Sequence, residues 1–196
     1  MRLTRTLALA PAAAVALALA LAPASRAGGQ RWYERAVKKV EASFDPAEAK
    51  PGQTVTFRVT VELNDGFHTY PTVQTDKAAE GMVNVLKFPA AGDVIFVGAV
   101  EDPKGALTKA EPEAGIKEMR YYPGTATFTR KAVVSPRAAA GPVAVKLDAF
   151  KLSVCDKENC FPPKAVPVEA SLKVLSGSVE VEKQYAEEVA KALAAK

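Results

Sequence analysis

The chain holds two cysteines, Cys155 and Cys160, with four polar residues, Asp156, Lys157, Glu158 and Asn159, between them. Residues that face each other across the mouth of a short antiparallel turn have Cα atoms about 4.5–5.5 Å apart, within reach of a disulfide. A bridge is therefore feasible. So small a ring restricts the unfolded chain by only roughly 2 kcal/mol, against about 4.7 for a loop of a hundred residues. It does hold the sulfurs beside a solvated turn, where a second thiolate can approach, and access is one of the factors that set exchange rates. Spacing alone leaves two readings open, a locally stabilising bridge and a redox-active pair.

Thioredoxin-type activation does not apply, because there the cysteines lie two residues apart at a helix start whose dipole lowers the thiol pKa. Asp156 and Glu158 would disfavour a nearby thiolate and Lys157 would favour it, which predicts a modest nucleophile. The one histidine, His68, stands two residues from Tyr70 and so on the same face of an extended strand. With Cys155 and Cys160 it would make a three-ligand soft site suited to copper, while a packed, hydrogen-bonded histidine is the simpler expectation. The sequence has no serine elbow, glycine-rich phosphate loop or HExxH motif, so hydrolase and nucleotide chemistry are unsupported and no cofactor or resident metal is expected.

The elements that must position these residues are mostly strands. Val55, Phe57, Val59, Val61 and Leu63 alternate with Thr54, Thr56, Arg58, Thr60 and Glu62, a half-buried strand that ends at the turn Asn64-Asp65-Gly66. The chain then resumes as Phe67-His68-Thr69-Tyr70-Pro71. Further strands are expected over 40–44, 83–88, 94–100 and 125–134, and the stretch 101–119, rich in Pro, Gly, Lys and Glu, is expected to be a loop. Before the cysteines, Val143, Val145, Leu147 and Ala149 share one face, but Phe150, Leu152 and Val154 are one residue out of phase. That slip predicts a bulge near Ala149 and Phe150, with Cys155 on the wetter face beside Lys151 and Ser153. Val166 to Val174 alternates again, and from Val179 onward Tyr185, Val189 and Leu193 recur at steps of four, as in an amphipathic helix. Strands at this spacing with Pro and Gly punctuation predict an all-β chain, an immunoglobulin-like β-sandwich with a C-terminal amphipathic helix. The divisions are 28–39 as a short helix or lead-in, 40–175 as the sandwich and 176–196 as the helix.

Residues 1–27 have a basic start, an apolar run from Leu7 to Leu21 and small residues at Ala22-Pro23-Ala24 and Ser25-Arg26-Ala27, the pattern of a cleaved secretory signal peptide. Either small-residue site would serve for cleavage. The expected address is periplasmic or secreted. The arginines are not paired and no cysteine follows the run, so neither a twin-arginine route nor a lipid anchor is expected. Removing these residues takes away Arg2, Arg5 and Arg26 and no acid, which leaves +1 from the +4 of the whole chain. No argument for nucleic acid survives that subtraction. The chain that remains without residues 1–27 is long enough for a real core and does not need a disulfide to fold, which favours a functional reason for the cysteines.

The order Asp65-Gly66-Phe67-His68-Thr69-Tyr70, then Tyr121-Tyr122-Pro123-Gly124, then Cys155 to Cys160 followed by Phe161-Pro162-Pro163 resembles the N-terminal periplasmic domain of the thiol:disulfide interchange protein DsbD. The resemblance spans 40–175. It implies an immunoglobulin-like domain whose cysteine pair takes electrons from a membrane partner and passes them to thioredoxin-like periplasmic proteins, with cytochrome c biogenesis among the processes served. By the same resemblance Cys160 forms the mixed disulfide with the downstream partner and Cys155 resolves it. Tyr121, with Tyr122, lies where the family has an aromatic cap over the sulfurs, and His68, Tyr70 and Phe161 lie where residues line the site. The cysteines stand one residue closer than in the best-known member, Tyr121 replaces phenylalanine and His68 replaces an aromatic residue. The 196 residues hold no transmembrane or thioredoxin-like domain, so the expected electron donor is a membrane protein on a separate chain. The alternatives are a non-enzymatic immunoglobulin-like binding module with a structural disulfide, and copper handling by the cysteine pair and His68.

Overall fold

The structure is a computed structural model that describes residues 28–195, so the expected signal peptide lies outside the described residues. The elements run α1 (Gly28–Ala36), β1 (Val37–Asp45), β2 (Glu48–Ala49), β3 (Thr54–Leu63), β4 (His68–Thr69), β5 (Val85–Lys87), β6 (Val94–Glu101), β7 (Leu107–Glu111) and β8 (Ile116–Pro123). They continue with β9 (Thr125–Val134), β10 (Gly141–Lys146), β11 (Ala149–Leu152), β12 (Val154–Cys155), β13 (Lys164–Ala165), β14 (Glu169–Val174) and α2 (Ala186–Ala194).

Strand β3 buries every second residue, as its alternation requires, and lies between β1 and β9 in an antiparallel sheet of order β1-β3-β9-β6. The facing layer is made of shorter pieces, β10-β14-β2 and β13-β11-β5, with β14 and β2 parallel. Between the layers Phe57 meets Phe44 at 5.1 Å and Phe96 edge-on at 5.4 Å, among valines and leucines from both sides. The fold is thus the expected all-β, immunoglobulin-like sandwich with a C-terminal helix. The expected slip before the cysteines is present. Lys146 pairs with Glu169 but Lys151 pairs with Ala165, so the strand carries one extra residue between them.

Three expectations change. The stretch 101–119 is not all loop: β7 and β8 form a hairpin that joins β4 and β12 in a second four-stranded sheet, of order β12-β4-β8-β7. The 28–39 lead-in is a helix only to Ala36, with Trp32 and Ala36 buried one turn apart, and β1 follows at once. The C-terminal helix proper is confined to Ala186–Ala194. Ahead of it, the Val179 N–H donates to the Pro51 carbonyl, and Gly52, at φ 87°, passes so close that a Cβ there would sit 2.0 Å from the Val179 oxygen. Val189 then packs on Ile95, Val97 and Val133, on the outer face of β6 and β9.

Candidate functional site: a half-buried cysteine pair

The hairpin that carries the cysteines is closed by backbone hydrogen bonds on either side of them. The Asp156 N–H donates to the Asn159 carbonyl at 2.9 Å and the Phe161 N–H to the Val154 carbonyl at 3.0 Å. Cys155 and Cys160 therefore face each other as a non-hydrogen-bonded pair, the position at which antiparallel side chains come closest. Their Cα atoms are 4.1 Å apart and the sulfurs are bonded. Asp156 is engaged by the backbone of its own turn. Its Oδ1 accepts the N–H groups of Glu158 at 2.8 Å and Asn159 at 2.7 Å, which caps the turn and holds its carboxyl below the usual range.

The two cysteines differ sharply in surroundings. Cys160 is exposed, whereas Cys155 is 2% exposed. The expectation that Cys155 lies on the wetter face is thus overturned. That face is roofed by the segment 71–84 and by β8, whose Ala79, Ile116 and Met119 join Tyr70 and Cys155 in a second apolar cluster. Side chains that bond to backbone hold the roof down. Gln74 Nε2 donates to the Met82 and Arg120 carbonyls, each at 2.9 Å, and Gln74 Oε1 accepts the Arg120 N–H at 3.0 Å. Asp76 accepts the Lys117 N–H at 2.7 Å and the Glu118 N–H at 3.1 Å.

Buried against Cys155 is the fully enclosed Tyr70, whose hydroxyl donates to Cys155 Sγ at 2.8 Å and lies 3.6 Å from Cys160 Sγ. Burial pushes its phenol well above the ordinary value, so it stays a donor. His68, opposite Cys155 in the β4–β12 pairing, places Nε2 3.2 Å from the Tyr70 oxygen. Burial, with Lys109 nearby, lowers its pKa to about 4, and at neutral pH the imidazole is uncharged. The Tyr121 ring packs on His68 at 5.0 Å with Lys109 Nζ 5.7 Å from its centroid, and it too joins the Cys155 cluster.

Two of the sequence candidates are elsewhere. Tyr122 points to the opposite side of β8 and is buried in the main core. Phe161, although next to Cys160, stacks on Trp32 of α1 at 5.2 Å and 5° between planes, with Arg35 5.9 Å from its centroid, so it braces the hairpin instead of lining the sulfurs. As for a metal, the Tyr70 hydroxyl stands between His68 and the sulfurs, and among the described residues no group of three or more His, Cys, Asp or Glu is disposed to hold an ion.

Sequence reasoning missed Asn84, the polar knot of the site. Its Nδ2 donates to Thr69 Oγ1 at 2.9 Å and to the Tyr70 carbonyl at 2.6 Å, and its Oδ1 accepts the Ser153 N–H at 2.8 Å. One buried amide thus ties the strand of Tyr70 to the strand of Cys155. Only its position as a lone polar residue between Val83 and Val85 could have pointed to it.

This arrangement favours attack at one sulfur. An incoming thiolate can reach Cys160 Sγ, and the electron pair of the broken bond goes to Cys155, where the Tyr70 hydroxyl offers a charge-assisted hydrogen bond. Without that donor, burial in apolar surroundings would make Cys155 a poor leaving group.

No family model matches the chain, and no curated protein matches it in sequence. Solved structures similar to it include the N-terminal periplasmic domain of ScsB from Proteus mirabilis, at a TM-score of 0.43 and 14% identity over 78% of this chain and 51% of that one. The chain spans about half the length of that domain. A non-cellulosomal cohesin from the archaeon Archaeoglobus fulgidus gives a TM-score of 0.37 and 15% identity over 70% of this chain and 92% of that one. A type I cohesin–dockerin complex from Clostridium thermocellum gives 0.35 and 13%, over 70% and 99%. Among the described residues no helix is long and apolar enough to cross a membrane.

Proposed function

We propose that this chain is an exported thiol-disulfide exchange domain that passes electrons through Cys155 and Cys160 to thioredoxin-fold partners of the periplasm. The observation that carries the reading is the asymmetry of the pair: an exposed Cys160 bonded to a buried Cys155 that has its own hydrogen-bond donor. A bridge kept only for stability has no use for either feature.

In the reducing direction the Cys160 thiolate attacks a partner's disulfide, forms the mixed disulfide and expels one partner thiolate. Cys155 then attacks Cys160 Sγ, which expels the second partner thiolate and closes the bridge. Two electrons pass to the partner. The reduced domain would be regenerated by a membrane electron donor, and the sequence resemblance to the DsbD N-terminal domain supports both partner classes.

The test is trapping. Incubated in reduced form with an oxidised thioredoxin-fold periplasmic protein, Cys155→Ser should accumulate a covalent complex through Cys160, and Cys160→Ser should not. Absence of any complex with either variant, together with a reduction potential below about −300 mV, as structural bridges have, would return the chain to a binding module with a stiffened loop.

A further inference from the structure

Three atoms surround the Tyr70 oxygen: Cys155 Sγ at 2.8 Å, His68 Nε2 at 3.2 Å and Cys160 Sγ at 3.6 Å. A phenol has one proton to give, and its oxygen can accept another. Two arrangements satisfy this geometry. In one, His68 Nε2 is bare and competes with Cys155 Sγ for the hydroxyl proton. In the other, Nε2 carries a proton and donates it to the Tyr70 oxygen, and the hydroxyl is aimed at Cys155.

The choice depends on the charge of the sulfur. A disulfide sulfur is a weak acceptor, while a thiolate accepts a charge-assisted bond roughly twice as strong as a neutral one. As the sulfur–sulfur bond breaks and its electron pair moves to Cys155, the second arrangement becomes the favoured one. Which nitrogen of His68 is protonated then decides whether the hydroxyl is shared with a competing acceptor or left wholly to the leaving sulfur. The histidine is 8% exposed and held by the Tyr70 and Tyr121 rings, so bulk water cannot readily take its place.

We infer that His68 is a positioning residue of the exchange site, whose Nε2–H orients the Tyr70 hydroxyl towards Cys155 as that sulfur leaves. The inference rests on the exchange role proposed above. No proton is transferred in the step. The attacking thiolate bonds to Cys160 Sγ, Cys155 departs as a thiolate, and Tyr70 keeps its proton while sharing it.

The experiment uses the oxidised chain and dithiothreitol as the attacking thiol, at pH 7. The second thiolate of dithiothreitol closes on the first, so the probe supplies both electrons and leaves as its own cyclic disulfide. Tyr70→Phe should reduce the second-order rate about tenfold, the share expected for one hydrogen bond to a developing charge. His68→Phe, which keeps a ring of similar size, should lower it severalfold, and His68→Gln, whose amide can donate to the phenol, should recover most of the loss. In a Cys160→Ser background the Cys155 thiol should titrate at higher pH with His68→Phe than without it. Nitrogen NMR of the reduced protein should find the proton on Nε2.

If His68→Phe leaves both the rate and the Cys155 titration unchanged while Tyr70→Phe slows the reaction, the histidine only packs and the inference fails. A proton found on Nδ1 in the reduced protein sinks it as well. These results are separable from the exchange role, because a failure of Cys155→Ser to trap any partner would remove that role without altering the kinetics with dithiothreitol.

Discussion

The main core and the small cluster around Cys155 are both buried, but they are held by different means. In the main core, Phe57 and its neighbours on β3 alternate with polar residues, the two layers supply apolar faces, and the stabilisation is area removed from water. In the cysteine cluster few apolar side chains meet among the described residues, and Asn84, Gln74 and Asp76 fasten irregular segments through backbone hydrogen bonds. The first region sets whether the chain folds. The second sets which atoms stand next to the sulfurs, because a hydrogen bond fixes direction as well as distance.

Substitutions on each side should separate these roles. The largest effect belongs to Phe57→Ala, which should reduce the unfolding free energy by about 3–5 kcal/mol in urea titrations. The disulfide of the molecules that remain folded should still be reduced at the original rate. A parallel fall in that rate would mean that the site is not independent of core packing.

Asn84→Ala should be less destabilising, about 2–3 kcal/mol, because it leaves the Ser153 N–H and the Tyr70 carbonyl without their partner in a buried place. Unlike the core substitution, it should also slow reduction of the disulfide, since Tyr70 and Cys155 lose their common tie. Unchanged kinetics would show that β4 and β12 hold their register without the amide.

The smallest effect is in the pH profile. His68 has its pKa lowered to about 4 in the folded chain, against an ordinary value of about 6.5 in the unfolded one. Between these values the unfolded chain binds a proton that the folded chain does not, so the contribution present above pH 6.5 is lost as the pH falls towards 4. Denaturation midpoints compared at pH 7 and pH 4.5 should differ less for His68→Phe than for the unaltered chain. Lys109, Glu111 and Asp156 act on the same imidazole and remain in both proteins, so the difference isolates the histidine.

The contrast also explains what could be read in advance. Strand β3, the slip before the cysteines and the stripe Tyr185, Val189 and Leu193 were legible because period and phase survive in sequence when one face is buried. The β7–β8 hairpin was not. β7 is an edge strand with little burial, and the buried residues of β8, Ile116, Met119 and Tyr122, lie three apart and serve two different clusters. Tyr121 and Tyr122 look alike in the chain, and only the pleat of β8 sends one to His68 and the other into the main core.

By itself the sequence determined that two thiols close a polar turn and that the chain around them is a sandwich, because both follow from local spacing and periodicity. Only the tertiary structure decided that one sulfur is open and the other enclosed, that Tyr70 points at the enclosed one, and that His68 stands behind Tyr70. Those relations join residues up to ninety positions apart. They depend on which segments roof which strand, and no local pattern encodes that.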